Sequence, residues 1–173
     1  MRLLFVFLDG VGLGEDAPAH NPFATADLPT LASFTGGRRW LCDLPRIESR
    51  QGVFIPTDAC LGIDGKPQSA TGQATIWTGV NVPQMLGRHY GPRPNQAIAE
   101  IIEREGVIKR LKRDGADVFF ACAFPNEFFE IVRRGKRLLS ANQLAMHSAG
   151  VRFPDTEAFK AGQALSSDFT GEG

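Results

Sequence analysis

Leu3–Leu8 is an unbroken apolar run closed by Asp9-Gly10, a pattern that predicts a strand buried on both faces, as in a parallel sheet. Asp117–Ala123 (DVFFACA) repeats it and predicts a second buried strand. Arg38–Leu44 and Gly52–Ile55 are weaker strand candidates. Helical spacing governs much of the remainder. Ala97, Ile98, Ile101 and Ile102 form a stripe within Asn95–Glu105, stopped by Gly106. Further helices are predicted over Asp27–Phe34, Ala70–Thr78, Val107–Arg113, Glu127–Arg133, Ala141–Ser148 and Thr156–Leu165. Ser140 and Asp155 have the residue type and position of N-caps for the last two.

Strands alternating with helices predict an α/β fold with a mainly parallel sheet. The 173 residues suffice for one domain spanning 1–173 with a sizeable core. Two convincing buried strands are few for a doubly wound sheet, so the sheet is expected to be incomplete. The segment SSDFTGEG carries polar and glycine residues and no closing element.

Charge narrows the partners. Lys plus Arg and Asp plus Glu number 19 each, so no net field favours nucleic acid or an anionic membrane. The basic clusters at Arg38-Arg39, Lys109–Arg113 and Arg133–Arg137 are short and read as solvated faces and helix ends. The apolar start is too short for a signal peptide, and Asp9 falls where a small-residue cleavage site should be. No stretch approaches a membrane span. Cys42, Cys60 and Cys122 are odd in number and widely spaced. They read as buried thiols in a reducing, cytoplasmic setting rather than as a disulfide or metal framework.

Candidate chemistry begins at Asp9. A carboxylate at the end of a first strand is either a hard-cation ligand or a turn-forming Asp-Gly. The following GVGLGE has the glycine content of a dinucleotide loop, but not the GxGxxG spacing or a helix directly behind it. Ser69 stands between the turn Gly65-Lys66-Pro67 and ATGQATIWTG. There its hydroxyl is either an N-cap or a nucleophile at a helix N-terminus, where backbone N–H groups and the dipole favour negative charge. GxSxG and a His-Asp partnership are absent, so a triad is not supported. His89 in LGRHYG, beside Arg88, is either a loop hydrogen-bonding residue or an anion or metal ligand. Asn126, just past the second strand, is placed like a site residue.

In combination, FLDGVGLGE, then NP and PTL, then SATGQATIWTG with its serine nine residues ahead of Thr-Gly, resemble the alkaline phosphatase superfamily. The nearest branch is that of the metalloenzymes similar to cofactor-independent phosphoglycerate mutase and phosphopentomutase. The resemblance is strongest at Leu4–Gly14 and Pro56–Asn95. It implies a three-layer α/β sandwich and two divalent metal ions (zinc, manganese or magnesium). It also implies Asp9 and Ser69 as metal ligands, Ser69 as the attacking alkoxide, and a small phosphorylated substrate contacted by Arg88, His89 and Asn126. The family draws most of its metal ligands from a later segment with an Asp-His pair. After Asp117 this chain offers one histidine, His147, so it is expected to be an N-terminal portion that does not act alone, with a second chain a candidate for the missing half. A non-catalytic remnant that binds a partner, and a small nucleotide-binding module, are the alternatives.

Overall fold

A computed structural model describes residues 2–166. These divide into two compact units, Met1–Asp58 and Ala59–Gly173.

In the first unit, Asn21 supplies the oxygen that opens a 3-10 turn, Pro22–Ala24. Its Oδ1 accepts from the Phe23 amide at 3.1 Å, while its Nδ2 donates to the Glu15 carbonyl at 2.7 Å. Helix α1 (Pro29–Ser33) begins on its own proline. The sole ladder among the described residues is the antiparallel pair β1 (Ile47–Glu48) and β2 (Val53–Phe54), in register Ile47 with Phe54 and Glu48 with Val53. The core of this unit is small: Ala24, Leu41 and Phe54, with Trp40 tilted against Phe54 at 5.2 Å between ring centroids.

The second unit is helical. It comprises α2 (Ser69–Thr78), α3 (Val82–Leu86), α4 (Gln96–Glu105), α5 (Val107–Arg113), α6 (Asn126–Arg133), α7 (Ala141–Ser148) and α8 (Thr156–Lys160). Helices α2, α4 and α7 pack against one another. Ala70, Ala74 and Trp77 recur at helical spacing on α2 and meet Ile98, Ile101 and Ile102 of α4 and Ala141, Ala145 and Met146 of α7 in one apolar cluster. Two polar contacts fix α2 against α7. The Trp77 indole N–H donates to Asn142 Oδ1 at 2.6 Å, and the Asn142 amide donates to Gln73 Oε1 at 3.2 Å. Phe120, Phe124, Phe128 and Phe153 extend the core, with Phe124 stacked on Phe128 at 4.3 Å.

The expected parallel three-layer sandwich is not what the chain forms; the described residues are mostly helical and hold only the two-stranded antiparallel ladder. Leu3–Leu8 lies in no ladder, and Leu3 and Leu4 are 81% and 82% exposed. An apolar run becomes a buried strand only when neighbouring strands satisfy its N–H and C=O groups and layers cover its faces. Among the described residues no ladder strand pairs with Leu3–Leu8. Within Asp117–Ala123 only Cys122 makes a bridge, a parallel one to Leu165; the next, Phe124 to Asp155, lies just beyond it. Arg38–Leu44 likewise contributes one bridge, Leu41 to Gly14.

The helix expectations hold better. Asn95, Ser140 and Asp155 each accept from a backbone N–H at the start of α4, α7 and α8, and Ser140 with Gln143 forms a capping box. Helix α8 stops at Lys160, short of Leu165. Helix α3, which the apolar pattern does not announce, starts on the Asn81 side-chain cap and Pro83. Most of SSDFTGEG lies outside the described residues.

The cysteines differ from expectation. None is disulfide-bonded, yet Cys42 is exposed and Cys60 and Cys122 are half-buried. No helix among the described residues is long and apolar enough to cross a membrane.

Candidate functional site

The local structure around Ser69 replaces the simple cap with a different arrangement. Gln68 is the N-cap, in extended conformation, and Ser69 is the first helical residue of α2. The oxygen that meets the first turn comes from across the fold. Tyr90 C=O accepts from the Thr71 amide at 3.1 Å, and Thr71 Oγ1 accepts from the Tyr90 amide at 3.3 Å. The 88–91 loop is thereby fastened to the start of α2. Gly91 permits the approach: a Cβ there would stand 3.0 Å from Gln68 Cβ and 3.3 Å from the Ser69 nitrogen. At the other end, Gly79 closes α2 in the left-handed conformation with φ 73°.

Between this loop and residues 64–68 lies an open cleft lined by Asp64, Lys66, Gln68, Arg88, His89 and Tyr90, with glycines 65 and 91 in its walls. Three basic side chains, Lys66, Arg88 and His89, thus line one cleft beside the start of α2. The Arg88 guanidinium lies 5.7 Å from the centre of the Tyr90 ring, within cation–π range. His89 Nε2 lies 3.1 Å from the Ile63 carbonyl. Asn81, the α3 cap, ties the same region to α3 by donating to the Leu61 carbonyl at 2.9 Å.

Of the residues singled out in the sequence, Arg88 and His89 thus share one cleft, and Ser69 follows directly on Gln68 of its wall. Asn126 opens α6, is exposed, and is not among the residues lining that cleft. Asp9 belongs to the first unit, exposed in a turn with Gly10 at φ 74°. After GVGLGE no helix starts until the 3-10 turn at Pro22, so the geometry of a dinucleotide loop is absent from the described residues. Lys66, which the sequence pattern did not single out, lines the same cleft as Arg88 and His89. Its signal was available, since it lies three positions before Ser69 in a Gly-Lys-Pro turn.

The fit to a two-metal centre can be tested on the donors themselves. Among the described residues no three His, Cys, Asp or Glu side chains converge on one point, whereas a structural or catalytic metal needs at least that many protein ligands in most sites. The first unit has a further cleft, lined by Phe23, Asp27, Leu31, Arg39 and Trp40 among others. Two of its polar groups are already engaged: the Trp40 indole donates to the Leu31 carbonyl at 2.8 Å, and Arg39 pairs with Asp16 at 3.5 Å. Comparisons with protein-family models, with curated proteins and with solved structures found no match.

Proposed function

We propose that this chain carries the nucleophile and part of the anion site of a phosphoryl-transfer enzyme, of phosphohydrolase or phosphomutase type, with Ser69 as the attacking group. The observation that carries the reading is the placement of Ser69 at the first turn of α2, next to a cleft bearing Lys66, Arg88 and His89. A helix N-terminus and nearby cations both lower the cost of negative charge, on an alkoxide and on an entering phosphate alike. Asp9 keeps its proposed role as a metal ligand, and Asn126 its role as a substrate contact. Two divalent ions, when bound, would supply the lowering of the hydroxyl pKa and the charge neutralisation such transfers need. In this reading a second chain supplies further ligands to them. In the chain's own contribution, the Ser69 Oγ–P bond forms as the bond from phosphorus to the leaving oxygen breaks, while Lys66 and Arg88 hold the phosphate oxygens. The hydroxyl proton passes to solvent, the leaving oxygen takes a proton from solvent, and water or a second hydroxyl then releases the phosphoryl group.

The test is turnover of a generic phosphate ester by the native, metal-replete protein. Ser69→Ala should lower kcat by at least about a hundredfold, the scale of a lost nucleophile. Full activity in that variant would remove Ser69 from the role.

The second reading, a non-catalytic partner-binding module, is favoured by one observation: the exposed apolar run Leu3, Leu4, Val6 and Leu8. The unbridged cysteines support a reducing, cytoplasmic location under either reading.

A further inference from the structure

The ring of His89 is held on one edge only. Its Nε2 lies 3.1 Å from the Ile63 carbonyl. A carbonyl oxygen can only accept, so Nε2 carries a hydrogen in the neutral and in the charged imidazole alike. The same edge is bordered by Gly65, where an added Cβ would come to 3.7 Å from His89 Cδ2. Proton exchange is therefore confined to Nδ1. When neutral, His89 offers a lone pair there; when protonated, it offers an N–H and a positive charge.

The surroundings decide what such a switch would do. The charged or titratable side chains lining the cleft with His89 are Lys66, Arg88, Tyr90 and Asp64. Neither Lys66 nor Arg88 takes part in an ion pair with another described residue. Arg88 is instead oriented by the Tyr90 ring face. Two cations without carboxylate partners, joined by an imidazole of fixed tautomer, make a recognition set for an oxyanion. Asp64 opposes it with a single carboxylate.

We infer that the cleft formed by Lys66, Arg88, His89 and Tyr90 is a small-oxyanion site whose affinity is set by protonation of His89 at Nδ1. With the imidazole protonated, three positive groups meet the anion. With it neutral, Nδ1 presents a lone pair to the anion's oxygens, and affinity falls. His89 thereby acts as a specificity-determining residue. The inference rests on the same cleft as the proposed transfer reaction, but it requires neither metal ions nor a nucleophilic Ser69.

Sulfate is the suitable probe, because its own charge does not change across the range in which histidine titrates. Titration calorimetry on the full chain should show sulfate binding about tenfold tighter near pH 5.5 than near pH 8, the scale of one charge-assisted hydrogen bond. His89→Gln retains an amide donor for the Ile63 carbonyl and lacks Nδ1. It should fold, bind sulfate weakly at both pH values and lose the pH dependence. Lys66→Ala with Arg88→Ala should reduce binding at both pH values while leaving the imidazole nitrogen NMR pattern of an Nε2–H tautomer unchanged. Sulfate affinity in His89→Gln equal to that of the parent, with the same pH profile, would overturn the inference, as would an Nδ1–H tautomer in the parent protein. Because the assay needs no turnover, a failure here leaves Ser69 as nucleophile standing. Loss of turnover in Ser69→Ala with sulfate binding intact would, conversely, separate the two.

Discussion

At the scale of the residue, Ser69 and Gly91 show how much depends on contacts that local sequence does not encode. The pattern KPQSATGQ predicts a helix start, and α2 does start there. The oxygen meeting the Thr71 amide, however, is the Tyr90 carbonyl, nineteen positions along the chain. No local rule announces that pairing. Gly91 reads as one of many loop glycines, and only the 3.0 Å approach to Gln68 distinguishes it. Gly91→Val should force the 88–91 loop off α2 and weaken sulfate binding, with thermal melting and calorimetry as the two measurements. Gln68 Cβ and the Ser69 nitrogen are set by the backbone, so the loop itself has to move, at a cost of about 1–3 kcal/mol, the range for overpacking. Cys122 offers a second residue-level outcome. Burial raises its thiol pKa, so its thiolate forms at higher pH than that of an ordinary cysteine. Iodoacetamide at neutral pH should label exposed Cys42 faster than Cys122, and the rate at Cys122 should keep rising into more alkaline solution than usual. Equal rates with identical pH profiles would contradict this.

At the scale of the element, helices were more legible than strands, of which only the Gly52–Ile55 candidate coincides with a ladder strand, β2, and the reason is physical. A helix closes its hydrogen bonds within its own segment, and its caps are local. Ser140 and Asp155 could therefore be recognised in place. A strand has partners elsewhere in the chain or in another chain, so Leu3–Leu8 announces only a preference, not a ladder. Short α3 escaped because Asn81 and Pro83 bound a segment too brief for periodicity to register. The α2–α4–α7 packing gives a direct prediction. Ile98 is fully buried at its centre, so Ile98→Ala should destabilise the protein by about 2–5 kcal/mol in urea unfolding, the cost of the lost burial plus the cavity. A loss well under about 1 kcal/mol would mean that α4 does not pack as described.

At the scale of the whole molecule, the exposed apolar run poses the main question of assembly. Leu3, Leu4, Val6 and Leu8 each expose more than half of their surface, and a contiguous exposed apolar run invites association. The isolated chain should therefore sediment as a concentration-dependent mixture, and charging the run with Leu4→Lys and Val6→Lys should shift it toward monomer. A monodisperse monomer at all concentrations would count against any docking role for that run. The sequence resemblance directed attention to Asp9 and Ser69. It was silent about Lys66, and it implied a sheet that the described residues do not form. The cleft that brings Lys66 beside Arg88 and His89 is formed by two segments, 64–68 and 88–91, whose apposition no local pattern encodes.

The most direct measurement is the fate of the phosphoryl group. Native, metal-replete protein is mixed with p-nitrophenyl phosphate, quenched in acid during turnover, digested and mapped by mass spectrometry. A single phosphoryl group on the peptide bearing Ser69, absent from Ser69→Ala, is the predicted result. Turnover with the phosphoryl group on another residue, or no turnover at all by the native protein, would contradict the assignment of Ser69 as the nucleophile.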